Sequence, residues 1–237
     1  MSKLEILPIP TMLDDMPNDK NIAIIVAAGS GSRFGGDQPK QYLNVSGKEV
    51  LSFSVESFSS HPLISQTIIV CSNDYMDHVL KSYPNCIVVT GGETRQDSVH
   101  NGLAACPADT AKVLVHDAAR PLIPKSLIND SLNALDEFDG VAPVIQPSDS
   151  MILLEADGVK NLRRDQLRIV QTPQCFRFEV LSQAHGSGLV DTDEIGLVRQ
   201  AIPEAALTFI DGHPMSMKIT HASDLDLIDR YLNEDLG

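Results

Sequence analysis

The chain has 237 residues, of which 43% are hydrophobic and 21% are charged, and its formal net charge is −14. The composition is ordinary for a soluble globular protein, and the length suffices to bury the core of one α/β domain. The acidic balance argues against a nucleic-acid binder, which needs a basic surface. No stretch approaches the roughly 20 apolar residues that cross a membrane, so we expect no membrane partner. The four cysteines are widely spaced, which favours reduced thiols in a cytoplasmic protein over disulfides or a zinc site.

Residues 1–20 contain prolines and acids without a clear period, so we expect a loosely ordered N-terminal extension. After it, short β-rich apolar runs alternate with helical patterns, which is typical of βαβ units and a parallel sheet. The runs are 22–28, 67–71, 86–90, 112–118, 141–145 and 207–210. The sequence therefore predicts one α/β domain over residues 21–237 with a mainly parallel central sheet.

Three helices are predicted from apolar residues that recur with helical spacing. Their apolar faces are Leu51, Val55 and Phe58; Val99, Leu103 and Cys106; and Leu225, Ile228 and Leu232. Acidic residues follow Ser223 in the first turn of the last helix, so we expect Ser223 to be its N-cap.

The alternation of strands and helices stops between residues 147 and 174. There Asp157-Gly158 lies between two short extended segments, and this type of dipeptide is a strong hairpin signal. A hairpin inserted into a parallel domain has open edges, which a second subunit would cover. We therefore predict a protruding β-hairpin arm over about 147–174 that mediates a homodimer.

A glycine-rich loop follows the first predicted strand, where residues 27–43 read AAGSGSRFGGDQPKQYL. The loop matches neither the dinucleotide pattern GxGxxG nor the P-loop pattern GxxxxGK[ST]. Its glycines still allow backbone N–H groups to face an anion, while Arg33 supplies a planar fork of donors and Lys40 a mobile charge. The alternative is an ordinary strand-to-helix turn with solvated cations.

Taken whole, this loop resembles that of sugar nucleotidyltransferases, and its PKQYL ending resembles cytidylyltransferases that act on sugar-alcohol phosphates. Further segments match in the same order: GGETRQDSVHNGL (91–103), VHDAARPL (115–122), QTPQCF (171–176), TDE (192–194) and MKIT (217–220). Over roughly residues 21–232 the chain resembles the 2-C-methyl-D-erythritol 4-phosphate cytidylyltransferase family.

The resemblance implies a Rossmann-like nucleotidyltransferase domain, Mg²⁺ or another divalent cation, and two substrates, CTP and a sugar-alcohol phosphate. The implied reaction transfers CMP from CTP to 2-C-methyl-D-erythritol 4-phosphate, releasing pyrophosphate. Ribitol 5-phosphate or another polyol phosphate is the alternative acceptor, although HDAARPL and QPKQY favour methylerythritol phosphate. A nucleotide-binding regulator with a degenerate site is disfavoured, because the catalytic set is complete.

The resemblance also implies the roles of individual residues. The catalytic cations around the α-phosphate are Arg33, Lys40 and Lys218. The nucleotide-binding residues are Ala27, Ala28, Gly29, Gly31, Gly92 and Ser98. The substrate-binding residues are Asp117, Arg120, Ser150, Arg164, Thr172 and Thr192, and Asp117 also lies near the metal.

Several of these positions have a second interpretation. Arg120 could be a structural partner of Asp117, and Arg163 could replace its neighbour Arg164 as the phosphate clamp. His116 is expected to be a buried structural imidazole rather than a general base. Arg95 is expected to organise its loop rather than bind a ligand.

Overall fold

The computed structural model describes residues 20–29, 31, 34 and 38–233. The predicted N-terminal extension, apart from Lys20, and the predicted catalytic residue Arg33 therefore lie outside the described residues. The strands are β1 (Lys20–Ala27), β2 (Asn44–Val45), β3 (Lys48–Glu49), β4 (Gln66–Cys71), β5 (Ile87–Thr90), β6 (Thr110–Asp117), β7 (Gly140–Ile145), β8 (Met151–Glu155), β9 (Gly158–Leu162), β10 (Ile169–Val170), β11 (Gln174–Arg177) and β12 (Leu207–Asp211). The helices are α1 (Val50–Ser59), α2 (Met76–Ser82), α3 (Arg95–Ala104), α4 (Lys125–Ala134), α5 (Phe178–His185), α6 (Glu194–Ala201) and α7 (Ala222–Asn233).

Eight strands form the central sheet, in the order β10-β7-β11-β6-β1-β4-β5, and β12 pairs with β7. The ladders of β1 with β4 and β6, of β4 with β5, and of β12 with β7 are parallel. Strand β11 lies antiparallel between β6 and β7. The prediction of an α/β fold with a mainly parallel sheet is confirmed, and each of the six apolar runs contributes a strand.

Strand β1 lies in the middle of this sheet, and its residues alternate between two apolar layers. Ile25 packs in the layer that contains α1 and α4, whereas Ile24 packs in the layer that contains α3, α5 and α6. Both side chains are fully buried. A parallel strand covered on both faces needs a continuous apolar run, which is why IAIIVA could be recognised from the sequence.

The predicted apolar faces lie in α1, α3 and α7, except that Cys106 lies beyond the end of α3 at Ala104, and one predicted cap is wrong. Leu51, Val55 and Phe58 of α1 are buried, and Ile228 is the buried residue of α7. Ser223 is not the N-cap of α7, because that helix begins at Ala222. The Asp224 carboxylate instead accepts hydrogen bonds from the backbone N–H groups of Thr220 (2.7 Å) and His221 (2.8 Å).

The region predicted as an arm contains a shorter hairpin than expected. Strands β8 and β9 pair antiparallel in a two-stranded sheet of their own, with Glu155 opposite Gly158. The turn therefore consists of Ala156 and Asp157, and Gly158, with φ 155°, opens β9. The predicted turn was one residue too late, and residues 169–174 are not part of the hairpin, because β10 and the start of β11 rejoin the central sheet.

The cysteines are free thiols, and Cys71 and Cys175 are buried in the core. Burial raises the pKa of the Cys175 thiol to about 12, so this group stays protonated. Within the described part of the chain, no helix is long and apolar enough to cross a membrane.

Candidate active site

A cavity of about 420 Å³ opens at the carboxyl ends of β1 and β6. Open α/β sheets bind their ligands at this edge, because the strand-to-helix loops meet there. The sequence-predicted site residues that line it are Ala28, Gly29, Gly31, Lys40, Gly92, Ser98, Asp117 and Lys218. Segments far apart in the chain therefore converge on one cavity.

Gln41 organises the start of the glycine loop. It is buried in a short 3₁₀ helix, Lys40–Tyr42, and its side-chain amide donates to the carbonyl oxygens of Ala27 (2.7 Å) and Gly29 (2.8 Å). One lone pair of each of these two carbonyl oxygens, which belong to predicted nucleotide-binding residues, is therefore already used. Gln41 has no recognisable signal in the sequence beyond its position after Lys40, because its partners are backbone atoms.

The second wall of the cavity is the loop before α3. Thr94 and Asp97 form a capping box, in which each side chain accepts from the other residue's backbone N–H. The Ser98 hydroxyl accepts from the Gly92 N–H (3.1 Å) and donates to the Thr94 carbonyl (3.0 Å). The hydroxyl hydrogen is thus used within the loop, so the predicted contact of Ser98 with cytosine would use a remaining lone pair.

Lys40 and Lys218 are held by neighbouring parts of one segment. The Lys40 ammonium donates to the carbonyl oxygen of Ile219 at 2.5 Å. The Lys218 ammonium donates to Asp117 Oδ2 at 2.7 Å, and its side chain is one-third exposed. The MKIT segment therefore supplies one cation to the cavity directly and fixes the other through its backbone.

Asp117, the last residue of β6, is surrounded by positive charge. Arg95 Nε lies 3.0 Å from its Oδ1, while Lys218 Nζ and Arg120 Nε lie 2.7 and 3.8 Å from its Oδ2. Burial alone would raise the pKa of Asp117, but the three cations outweigh it and hold that pKa well below its usual range. The carboxylate is therefore charged at neutral pH.

Arg95 links Asp117 to a second carboxylate, Glu194, at the start of α6. Its Nη1 lies 2.7 and 2.9 Å from the two carboxylate oxygens of Glu194, which is 2% exposed. Burial would lower the pKa of Arg95, but the two carboxylates outweigh it and raise that pKa. Arg95 lines the cavity as well as organising its loop. The only sequence signal for Glu194 was its place in the TDE segment.

A hydrogen-bonded chain lies beneath Asp117. The Asp117 N–H donates to Thr172 Oγ1 (3.2 Å), which lies 2.9 Å from His116 Nδ1, and His116 Nε2 lies 3.0 Å from the Arg120 carbonyl oxygen. A carbonyl only accepts, so the imidazole hydrogen is on Nε2 and the Thr172 hydroxyl donates to Nδ1. Burial lowers the pKa of His116 to about 3. His116 is thus a neutral structural imidazole, as expected.

Two predicted substrate residues, Thr172 and Arg120, lie behind the cavity. Thr172 is 4% exposed and supports its own chain's Asp117. Arg120 is 9% exposed and donates through Nη1 to the Ser216 carbonyl (2.7 Å). Its Nε is buried without a hydrogen-bond partner among the described residues. These contacts favour the structural interpretation of Arg120.

The predicted nucleotide-binding residue Ala27 is buried and does not line the cavity, and the structure does not bring the substrate-binding residues Ser150, Arg164 and Thr192 to the cavity wall. All three are exposed. Arg164 Nη1 donates to the Ser148 carbonyl (2.5 Å), and the backbone N–H and hydroxyl of Thr192 donate to Asp191 Oδ1. Their roles at an acceptor site stay predictions.

Known proteins match this arrangement over nearly the whole chain. A family profile described as "IspD: 2-C-methyl-D-erythritol 4-phosphate cytidylyltransferase" matches residues 21–234. The chain belongs to this family. The 2-C-methyl-D-erythritol 4-phosphate cytidylyltransferase of Endomicrobium trichonymphae is 38% identical over 218 residues, which cover 90% of this chain and 99% of that relative. The enzyme of the same name from Clostridium acetobutylicum is 33% identical over 91% of this chain and 98% of its own length.

Solved structures agree with the sequence relatives. The 4-diphosphocytidyl-2C-methyl-D-erythritol synthase of Anaerococcus prevotii superimposes with a TM-score of 0.81 at 27% identity, covering 90% of this chain and 96% of that chain. The 2-C-methyl-D-erythritol 4-phosphate cytidylyltransferase of Thermus thermophilus gives a TM-score of 0.75 at 26% identity, covering 88% and 97%. The mainly parallel sheet and its helices are thus those of the IspD family.

The carboxylates at the cavity fit a magnesium ion that arrives with a nucleotide. Asp117 and Glu93 are the carboxylates that line the cavity in the described part of the chain. Those residues contain no cluster of three or more His, Cys, Asp or Glu side chains that could hold a metal. Mg²⁺ is usually bound by one or two carboxylates together with substrate phosphates and waters. This donor set suits that mode, and Asp117, which the resemblance places near the metal, is one of the two carboxylates.

Proposed function

We propose that this protein transfers CMP from CTP to 2-C-methyl-D-erythritol 4-phosphate and releases pyrophosphate and 4-CDP-2-C-methyl-D-erythritol. The observation that carries the proposal is the convergence of four family-matching segments on one cavity: the glycine loop, the loop before α3, the end of β6 and the segment around Lys218. Membership of the IspD family gives this cavity its chemistry.

The reaction needs positioning and charge rather than a covalent intermediate on the protein. A phosphate oxygen of the acceptor attacks the α-phosphorus of CTP, and the bond to the pyrophosphate oxygen breaks in line with the attack. Negative charge grows on the α-phosphate oxygens as this happens. Lys40 and Lys218, both at the cavity, together with Arg33, stabilise that charge.

The acceptor side of the site is built around Asp117. Its buried, charged carboxylate accepts hydrogen bonds from the hydroxyl groups of the sugar alcohol and orients the attacking phosphate. Lys218 contacts Asp117 at 2.7 Å and also lines the cavity, so this lysine connects the acceptor side of the site to the α-phosphate. A bound Mg²⁺ would neutralise triphosphate charge and help the pyrophosphate leave.

The hairpin of β8 and β9 supplies the dimer contact in this proposal. Its apolar side chains Leu154 and Val159 are 72% and 66% exposed, and lie opposite one another on one face. Exposed apolar side chains clustered on a hairpin favour a protein partner. A second copy would bring its Arg164, at the base of the hairpin, to the acceptor phosphate.

The test is a pyrophosphate-release assay with CTP, Mg²⁺ and one polyol phosphate at a time. We expect turnover with 2-C-methyl-D-erythritol 4-phosphate and at least about tenfold lower kcat/KM with ribitol 5-phosphate. Turnover with ribitol 5-phosphate alone would move the acceptor to that compound. No pyrophosphate release with either compound would contradict the proposed function.

Two lysine variants show whether the turnover comes from this cavity. Lys40→Ala should lower kcat by about 100-fold or more with a smaller change in the KM for CTP, because its charge acts mainly in the transition state. Lys48→Ala is the matched control, since Lys48 pairs with Glu56 on the surface. A raised KM with unchanged kcat in Lys40→Ala would assign that lysine to ground-state binding.

A further inference from the structure

Among the described residues, Glu194 is connected to the active site by its hydrogen bonds with Arg95. Its carboxylate does not line the cavity, whereas Arg95 and Asp117 do. Arg95 Nη1 contacts both Glu194 oxygens, at 2.7 and 2.9 Å, and Arg95 Nε contacts Asp117 Oδ1 at 3.0 Å. One guanidinium is therefore shared between a buried carboxylate and a carboxylate at the substrate cavity.

This sharing changes what Arg95 offers to Asp117. An arginine beside a carboxylate often makes two parallel N–H bonds that occupy both oxygens. Here Glu194 holds Nη1 and Asp117 Oδ1 accepts from Nε, so the guanidinium is oriented between two carboxylates and donates to one oxygen of Asp117. Its Oδ2 instead faces Lys218 Nζ at 2.7 Å. In the orientation that Glu194 holds, the arginine donates to Oδ1 and leaves Oδ2 of Asp117 to Lys218.

The charge balance of the cluster also depends on Glu194. Arg95, Arg120 and Lys218 surround Asp117, so three cations would face one carboxylate without it. Burial raises the pKa of the Glu194 carboxyl, and Arg95 opposes this shift. A buried ion pair of this kind is weak support for stability, because packed apolar side chains often do as well.

The backbone around Glu194 is fixed by other residues, which leaves its side chain available for Arg95. Asp193 caps α6 by accepting from the Gly196 N–H at 2.9 Å. Gln174 accepts from the Ile195 N–H at 2.9 Å and donates to Asp193 at 3.2 Å. The start of α6 is therefore anchored without the Glu194 carboxylate.

We propose that Glu194 is a positioning residue for cytidylyl transfer: it holds Arg95 so that Asp117 keeps Oδ2 for Lys218 and for the acceptor hydroxyls. This inference rests on the proposed function. Removing the Glu194 charge releases Nη1, so that the guanidinium turns until Nε and Nη2 bond both oxygens of Asp117. The acceptor side of the reaction then suffers, while CTP, which contacts the glycine loop, is bound as before.

Steady-state kinetics of Glu194→Gln test this division. We expect kcat/KM for methylerythritol phosphate to fall on the order of 10- to 100-fold while the KM for CTP changes less than about threefold. Asp193→Ala is the matched control, because it weakens the start of the same helix and leaves the Glu194–Arg95 pair intact. It should lower the melting temperature with little change in either kinetic constant.

A double-mutant cycle tests whether Glu194 acts through Arg95. The variant Arg95→Ala/Glu194→Gln should have a kcat/KM no lower than that of Arg95→Ala alone. The inference would be overturned if the losses of kcat/KM in the two single variants multiplied in the double variant. It would also be overturned if Glu194→Gln had wild-type kinetics and only a lower melting temperature. Should Arg95→Ala fail to fold, the kinetics of Glu194→Gln against Asp193→Ala decide alone. Absence of turnover in the wild type would refute the proposed function instead.

Discussion

The turn after β6 and the hairpin of β8 and β9 are two excursions from the same sheet with opposite surroundings. In the turn, Asp117 and Arg120 are less than a tenth exposed and bonded to elements from across the chain. In the hairpin, side chains such as Leu154 are largely exposed, and its strands pair only with each other. The turn is completed within one chain, whereas the hairpin presents an apolar face that a second chain would complete.

This difference corresponds to two functions of the proposed enzyme, catalysis in the turn and dimer formation in the hairpin. Charges that must be held at fixed distances are buried and cross-linked, because a preorganised site needs no rearrangement during the reaction. A surface that recognises another copy of the chain stays open until that copy arrives. Substitutions in the turn should therefore change turnover per active site, and substitutions in the hairpin should change assembly first.

The largest effect is expected from Asp117→Asn. The amide keeps the shape but loses the charge that holds Lys218 and Arg95, so turnover should fall by about 10²–10³. The dimer should be unaffected. Kinetics and sedimentation velocity on the same preparation check both points, and a dimer that dissociated would contradict the separation of the two regions.

The double variant Leu154→Ser/Val159→Ser tests the hairpin. Because both copies carry the variant, four apolar side chains are lost from the interface, which should weaken the dimer by at least about 3 kcal/mol, or roughly 100-fold or more in Kd. Sedimentation equilibrium across micromolar concentrations measures this. Lys160→Ser on the opposite face of the hairpin is the control and should leave the Kd unchanged. A wild type that is monomeric throughout would remove the dimer from the proposal.

The smallest effect concerns pH and the imidazole beneath the turn. The pKa of His116 is about 3 in the folded protein and about 6.5 when unfolded. Between these values the unfolded chain binds a proton that the native chain does not. Stability should therefore fall as the pH drops below about 6.5, by up to about 1.4 kcal/mol per pH unit from this residue. Urea unfolding from pH 7.5 to 4.5 should show a shallower slope for His116→Gln, and equal slopes would contradict this account.

Local pattern was sufficient for much of the fold and for part of the site. The run IAIIVA predicted β1 because both faces of that strand are buried, and Lys40, Asp117 and Lys218 were found because they lie in recognisable segments. Ser223 was wrong as a cap, since Asp224, one residue later, accepts the N–H groups. Ser and Asp are both favoured as helix N-caps, so the sequence does not distinguish Ser223 from Asp224, whereas the course of the backbone does.

The extent of the hairpin shows another limit of local pattern. The turn signal located the hairpin to within one residue. It could not show that the chain returns to the central sheet at Ile169, because that pairing, with Ile145, is a long-range choice. Residues 169–174 were assigned to the arm for this reason.

The sequence by itself determined the α/β class, the family and the set of charged residues that the reaction requires. The tertiary structure decided which of them share a cavity and what holds each in place. Arg95 and Glu194 are 99 positions apart, and Lys218 and Asp117 are 101 apart. No short-range pattern in the sequence indicates such contacts, because they form only when the sheet brings the ends of its strands together. The same folding left Arg120 and Thr172 behind the cavity as supports of Asp117.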